Sequence, residues 1–145
     1  MQRVSSASVD VDGATVGAIE GGLLVYAAGA ADDDDSDLQY IADKIGNLRI
    51  FEDDAGKLNR SVLEISGAVL LVSAFTVLAD ARKGRRPSFD GAAPHAIAEP
   101  QIERLAALLA QTGLRVESGR FRAHMLVHSI NHGPICVLLD SRRVV

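Results

Sequence analysis

Gly67-Ala68-Val69-Leu70-Leu71-Val72-Ser73-Ala74-Phe75 is the stretch whose reading decides the fold class. A continuous apolar run this short, bounded by glycine and closing on polar Ser73 and Thr76, predicts a buried strand that delivers both hydroxyls at its end. Outward on its N-terminal side, Ser61 to Ile65 reads as the preceding strand, and Glu52-Asp53-Asp54-Ala55-Gly56-Lys57 as a polar turn after Ile50-Phe51. Further out, Gly21-Gly22 introduces Leu23-Leu24-Val25-Tyr26-Ala27-Ala28, apolar at every position as suits a central strand buried on both faces. Near the start, Val9 and Val11 face Thr15 and Val16 across Asp12-Gly13, a dipeptide that accepts the positive φ angles of a tight hairpin.

Two helices are predicted between the strands. Leu38, Ile41, Ile45 and Leu48 recur at helical spacing behind the acidic run Asp32 to Asp37, whose carboxylates favour the positive end of the helix dipole. The aspartates therefore read as a solvated cap, and phosphate would be repelled there. Glu99-Pro100 starts the second helix, with Ile102, Leu105, Leu108 and Leu109 on one face and Gly113 past its end. Phe121, Ala123, Met125 and Val127 then alternate with Arg122, His124, Leu126 and His128, the period of a half-buried strand. Asn131 to Pro134 reads as a turn and Ile135 to Leu139 as the closing strand. The fold class is α/β, one compact domain over residues 1–145, with mixed or antiparallel sheets joined mostly by hairpins and two main helices. A doubly wound nucleotide fold is excluded, since no Gly-x-Gly-x-x-Gly or phosphate-loop lysine motif is present.

Composition narrows the function classes. The formal charge of −4 argues against a protein that holds nucleic acid by overall basicity. The single cysteine, Cys136, cannot form an internal disulfide, and Met1-Gln2-Arg3-Val4 leads into serines rather than an apolar signal core. The expectation is a cytoplasmic protein without a membrane span.

Side-chain chemistry is sparse. His124 and His128 share a strand face, but four residues of strand separate them by about 13 Å, too far to share a metal. His95 sits in a proline-rich loop without a partner, and His132 borders Gly133. No metal-ligand constellation and no cofactor motif emerges. Ser73 lacks the Gly-x-Ser-x-Gly context of a hydrolase elbow. Cys136 on an apolar strand reads as a small buried side chain. The densest basic cluster is Arg82, Lys83, Arg85 and Arg86, which fits either a solvated loop or a local phosphate contact.

Ser73-Ala74-Phe75-Thr76, Arg82-Lys83-Gly84-Arg85-Arg86-Pro87-Ser88-Phe89 with Ala92-Ala93, and Asn131-His132-Gly133-Pro134 together resemble the D-aminoacyl-tRNA deacylases, also called D-tyrosyl-tRNA deacylases. Gln2-Arg3-Val4, Ala7-Ser8-Val9 and Lys44-Ile45-Gly46-Asn47-Leu48-Arg49-Ile50-Phe51 with Glu52-Asp53 fall in the same family order, so the resemblance spans essentially the whole chain. It implies a barrel-like α/β subunit working as a homodimer, with the active site at the interface and Gly133-Pro134, a cis bond in the family, completing the partner's site. Arg3 matches the arginine that holds that motif. A rigid backbone at the substrate's α-carbon would then admit a D side chain or a hydrogen and exclude an L side chain.

The implied reaction is hydrolysis of the ester between a D-amino acid, or glycine, and the terminal adenosine of tRNA. Ser73 and Phe75 match positions whose backbone N–H groups stabilise the oxyanion. Thr76 matches a threonine considered as a nucleophile, although the family is thought to use the neighbouring ribose hydroxyl. Phe121 and Met125 match pocket-lining residues. Ala74 and Asn131 belong to the two motifs and complete the substrate-binding set, and the basic cluster becomes the RNA-binding candidate. No cofactor or metal is implied. The chain departs from the family at Ala74, where Gln is usual, at Cys136, where Thr is common, and in a start a few residues late that is expected to shorten the first strand. These departures define the alternative, a silent paralogue that binds aminoacyl-tRNA ends or only dimerises.

Overall fold

The structure, a computed structural model, describes residues 1–145. Its frame is a six-stranded mixed sheet. Strands β1 (Gln2–Val11), β2 (Ala14–Ile19), β3 (Gly22–Ala27), β6 (Ala68–Ser73) and β7 (Arg115–Ser118) follow the spatial order β2-β1-β3-β6-β7, and β8 (Leu126–Cys136) pairs with β1. The Asp12-Gly13 hairpin forms as expected, both residues holding positive φ (50° and 78°) between antiparallel β1 and β2. β1 is long enough to meet β3 through Gln2–Val4, β2 through Ala7–Val11 and β8 along most of its length. One strand thus serves two halves of a nearly closed barrel.

The centre of the sheet corrects the hairpin expectation. β3 pairs parallel with β6, and β6 parallel with β7, so the chain must cross over twice. The first crossover carries α1 (Asp35–Asn47) and the small hairpin β4 (Phe51–Glu52) and β5 (Leu58–Arg60); the second carries α2 (His95–Gln111). The apolar runs explain why. Leu23, Val25, Val69 and Leu71 pack on Ala42, Ile45, Leu105 and Leu109 of the helices, while Leu24, Leu70 and Val72 point into the barrel against Val4, Val9 and Ile19. Covering both faces of β3 and β6 requires helices on one side, and only a crossover places them there.

Local chemistry accounts for the other boundaries. Asp34 caps α1 in a reciprocal box with Asp37, and Asp35 pairs with Arg104 of α2, so the acidic run is a cap that also ties the helices together. Ser61 to Ile65 is not a strand but one helical turn: the Ser61 amide donates to Glu64 Oε2 at 2.6 Å and the Glu64 amide to Ser61 Oγ at 3.2 Å. Ser-x-x-Glu is a capping box, and that signal was present in the sequence. β6 ends at Ser73, and Phe75–Leu78 forms a 3₁₀ turn instead of extending the strand. α2 begins at His95, not at Pro100, which lies inside it; Pro100 is exposed, so the one helix bond its missing amide leaves unmade faces solvent and the helix runs on.

The C-terminal part also departs from expectation. Phe121 to Met125 keep the predicted in-out alternation of burial but form a turn and extended loop, with regular pairing starting at Leu126. β8 then runs through Asn131 to Pro134 rather than turning there, and ends at Cys136, short of Leu139. Gln2 pairs with Cys136 and Val4 with Asn131, so Arg3 alone faces the four residues His132 to Ile135, which bulge out of the ladder.

Candidate active site

A cleft of about 520 Å³ opens at the carboxyl ends of β3 and β6. Parallel strands commonly bind ligands at this end, where the chain leaves the sheet and the helices diverge. Tyr26 to Gly29 and Val72 to Thr76 form one wall, His95, Ala98 and Ile102 of α2 a second, and Phe121 to Ala123 with Met125 and Val127 a third. Most of the lining is apolar, which suits an aromatic or aliphatic side chain. Burial pushes the Tyr26 phenol above its usual range, consistent with a neutral, poorly hydrated floor.

Ser73, Ala74, Phe75, Thr76, Phe121 and Met125 are therefore brought together. The Ala74 amide donates to Ala27 O at 2.9 Å, which fixes the strand exit against β3. The 3₁₀ turn's own bonds start with Val77 N–H to Ala74 O at 3.0 Å, so the Phe75 and Thr76 amides have no partner inside the turn. They stand at the rim of the cleft, where an anionic oxygen could accept from them. Neither Ser73 Oγ nor Thr76 Oγ1 has a histidine or carboxylate within hydrogen-bond distance, although His95 lines the same cleft; its ring packs edge-on to Phe121 at 6.1 Å. Backbone donors, rather than an activated hydroxyl, are the polar equipment of this wall.

Arg3, Asn131, Gly133 and Pro134 assemble elsewhere. Gly133 lies six residues along β8 from the cleft residue Val127, about 20 Å at the rise of an extended strand. Arg3 is 3 % exposed, its Nε donating to His132 O at 2.8 Å and its Nη1 to Ile50 O at 2.9 Å, with Glu52 at 3.7 Å. Asn131 closes the bulge from within: Ile135 N–H donates to its Oδ1 at 2.9 Å, and its Nδ2 donates to Cys136 Sγ at 3.2 Å. Cys136 is exposed, not buried as its apolar strand suggested. The Gly133-Pro134 bond is cis, and Gly133 holds φ 147° with no room for a Cβ, which would stand 2.7 Å from Ile135 N. The motif is thus a rigid, exposed edge outside its own cleft.

The basic cluster forms the loop between Asp80 and Ser88, whose backbones exchange hydrogen bonds of 2.8 and 2.9 Å. Arg82 is held by both oxygens of Asp80, which drives that carboxyl far below the usual range. Lys83, Arg85 and Arg86 carry no ion pair. Phe89 stacks edge-on against Phe75 at 5.1 Å and seats the loop beside the cleft mouth. Sequence reasoning missed Tyr26, His95 and Arg122 as lining residues. His95 was concealed by the misplaced helix start: the true N-cap, Pro94, accepts from the Ile97 and Ala98 amides through its carbonyl alone and carries no side-chain capping signal.

Comparison with known proteins gives a consistent result. The family model described as D-Tyr-tRNA(Tyr) deacylase matches residues 1–140. Proteins named D-aminoacyl-tRNA deacylase from Thermotoga petrophila and Anaeromyxobacter dehalogenans are 51 % and 54 % identical, each over 99 % of this chain and 97 % of its own length. Among solved structures, one titled c-Myc DNA Unwinding Element Binding Protein superimposes with a TM-score of 0.87 at 38 % identity, covering 92 % of this chain and 91 % of that one. A probable eukaryotic D-amino acid tRNA deacylase shares the fold with a TM-score of 0.80 at 17 % identity, covering 92 % of each chain.

Proposed function

The chain belongs to the D-Tyr-tRNA(Tyr) deacylase family, and from that premise we infer that residues 1–145 act as one D-aminoacyl-tRNA deacylase unit in the cytoplasm. The observation that carries the reading is the cleft at the end of β6, where the Ser73 to Thr76 backbone meets an apolar pocket walled by Phe121 and Met125. The amino-acid side chain occupies that pocket, and the scissile ester lies against the strand exit.

Hydrolysis adds water across the ester, releasing the free amino acid and restoring the 3′-hydroxyl of the terminal adenosine. Negative charge builds on the carbonyl oxygen during attack, and the amides of Ser73 and Phe75 stabilise it. With no protein base beside Ser73 or Thr76, the neighbouring ribose hydroxyl of the RNA assists the attack, and Thr76 contributes position rather than a nucleophile. Lys83, Arg85 and Arg86 meet the RNA backbone, and Arg82 shapes their loop.

Selection against L-amino acids comes from a second copy of the chain. Gly133 and Pro134 stand on an exposed edge remote from their own cleft, and β8 presents Leu126 and Ile130, 58 % and 62 % exposed, along the same strand. A homodimer packed through β8 covers these side chains and lets each Gly133-Pro134 close the partner's cleft. The α-hydrogen, or the second hydrogen of glycine, fits against that backbone; an L side chain collides with it. A silent RNA-binding paralogue is not favoured, given named deacylases at about half identity over the full chain.

Incubating the protein with D-tyrosyl-, L-tyrosyl- and glycyl-tRNA decides the matter. Release from the D-ester and glycyl ester with the L-ester intact is expected; an intact D-ester would end the reading.

A further inference from the structure

Most arginines of this chain are spoken for. Arg3, Arg60, Arg82, Arg104, Arg115 and Arg142 pair with carboxylates, Arg49 donates to Asn59, and Arg143 stacks on Tyr40. The side chains of Arg85, Arg86, Arg120 and Arg122 have no such partner. In a chain of net charge −4, the unpaired guanidinium groups are thus confined to two loops: one seated beside the cleft by Phe75 and Phe89, the other forming its third wall.

Within the second loop Arg122 is conspicuous on independent grounds. Ala123 N–H donates to Arg120 O at 3.2 Å, closing a four-residue turn in which Arg122 takes the third position with φ 62°. That position of a turn belongs by default to glycine, because a Cβ there crowds the neighbouring carbonyl. A long cationic side chain is kept at a site that disfavours it, exposed, unpaired and lining the cleft between Phe121 and Ala123. Strain of this kind points to a task for the side chain.

We propose that Arg122 is a substrate-binding residue that grips the phosphodiester immediately 5′ of the terminal adenosine, facing the Lys83, Arg85 and Arg86 loop across the single-stranded RNA end. The ligand follows from the reading above: once the aminoacyl group fills the apolar pocket, the first anion outside it is that phosphodiester. A planar guanidinium with free donors matches two phosphate oxygens at once. The acidic start of α1 and the Glu117 carboxylate are already engaged, by Arg104, Arg142 and Arg115, and do not compete for it.

The test is a double-mutant cycle on binding. The probe is an RNA minihelix ending in the tRNA acceptor sequence, with D-alanine attached through a non-hydrolysable 3′-amide. The last phosphodiester is either native or replaced by a neutral methylphosphonate. Wild-type protein should bind the neutral form about tenfold more weakly, the scale of one charge-assisted contact. Arg122→Gly should bind both forms with the same reduced affinity, and its dependence of log K on log salt should be shallower by about 0.7. Arg122→Lys should recover part of the difference. Because glycine suits φ 62°, Arg122→Gly should melt no lower than wild type, which separates lost binding from lost folding.

Equal and independent losses from the two changes, or an unchanged salt slope, would overturn the proposal. Hydrolysis of D-aminoacyl-tRNA is measured in parallel. Coupling without hydrolysis retires the deacylase reading and leaves the phosphate contact standing; hydrolysis without coupling retires the phosphate contact alone.

Discussion

Arg3→Met removes the only charged group that spans the sheet interior and the Gly133-Pro134 bulge, together with the guanidinium's place over the Phe51 ring, while keeping an unbranched buried stem. Two bonds are lost, to His132 O and Ile50 O, at 2.8 and 2.9 Å. At about 1.5 kcal/mol for each bond from a charged donor, the sum is about 3 kcal/mol. The Glu52 contact at 3.7 Å, with that carboxylate more than half exposed, adds little. For a chain of this length about 3 kcal/mol corresponds to a fall in Tm of roughly 10 °C, and urea titration at constant m should show the same loss.

The consequence for function is more specific than the loss of stability. Arg3 is the single residue opposite a four-residue bulge, so without it nothing from β1 fixes the height of Gly133 above the sheet. The ratio of D- to L-tyrosyl-tRNA hydrolysis should fall in the folded fraction, because the backbone proposed to exclude the L side chain becomes mobile while the cleft itself is untouched. Arg3→Lys should fare little better, since one ammonium cannot serve two carbonyls on opposite sides of the planar group. A Tm within 2 °C of wild type together with an unchanged D/L ratio would refute the argument.

Other predictions follow from the same geometry. Gly17→Ala should cost about 1–3 kcal/mol in urea titration, because the new Cβ would stand 2.6 Å from the backbone oxygen of Ser118 and wedge β2 from β7. Asp35 is held at about 2 by the Arg104 and Gln39 side chains, below the ordinary carboxylate value; the stability it contributes is present above about pH 4 and lost as pH falls toward 2, so Arg104→Ala should flatten the Tm profile in that window alone. Thr76→Ala should retain much of the deacylation rate, whereas a substrate lacking the terminal 2′-hydroxyl should react slowly; the reverse pattern in single-turnover assays would identify a protein nucleophile. Ala74→Gln should change kcat by less than about threefold, and a variant far faster than its parent would revive the idea of a weakened enzyme.

How far the sequence could be read depended on whether a signal was local. The Asp12-Gly13 turn, the capped α1 and the doubly buried β3 are each specified by adjacent residues, and each was legible. Parallel pairing of β3 with β6 was not, since it depends on which face the helices cover and no short motif records that. α2 was placed five residues late because Pro100 looks like a helix start, while the true N-cap, Pro94, makes no side-chain bond that a pattern could announce. The cleft was legible as a motif but not as a volume: Ser73 to Thr76 were identified, whereas Tyr26, His95 and Arg122 reach it only through tertiary folding.

The two substitutions that set this chain apart from the family pattern, Ala74 and Cys136, bear on side chains in a site whose work, in the mechanism proposed above, falls to the backbone. Ala74 still donates its amide to Ala27 O, so the strand exit that aims the Phe75 amide is intact. Cys136 accepts from Asn131 Nδ2, and Asn131 Oδ1 accepts from Ile135 N–H, so the bulge presenting Gly133 is closed by a ring of bonds in which the thiol takes part. Sulfur is the weaker acceptor, but the bond is peripheral to the Arg3 anchor at His132. An enzyme that stabilises charge with amides and excludes the wrong enantiomer with a glycine-proline edge can change side chains at both places and keep its chemistry, provided the main-chain path is held. That is why the anchors of the path, Arg3 and Asn131, rather than the altered positions, are where loss of function should be sought.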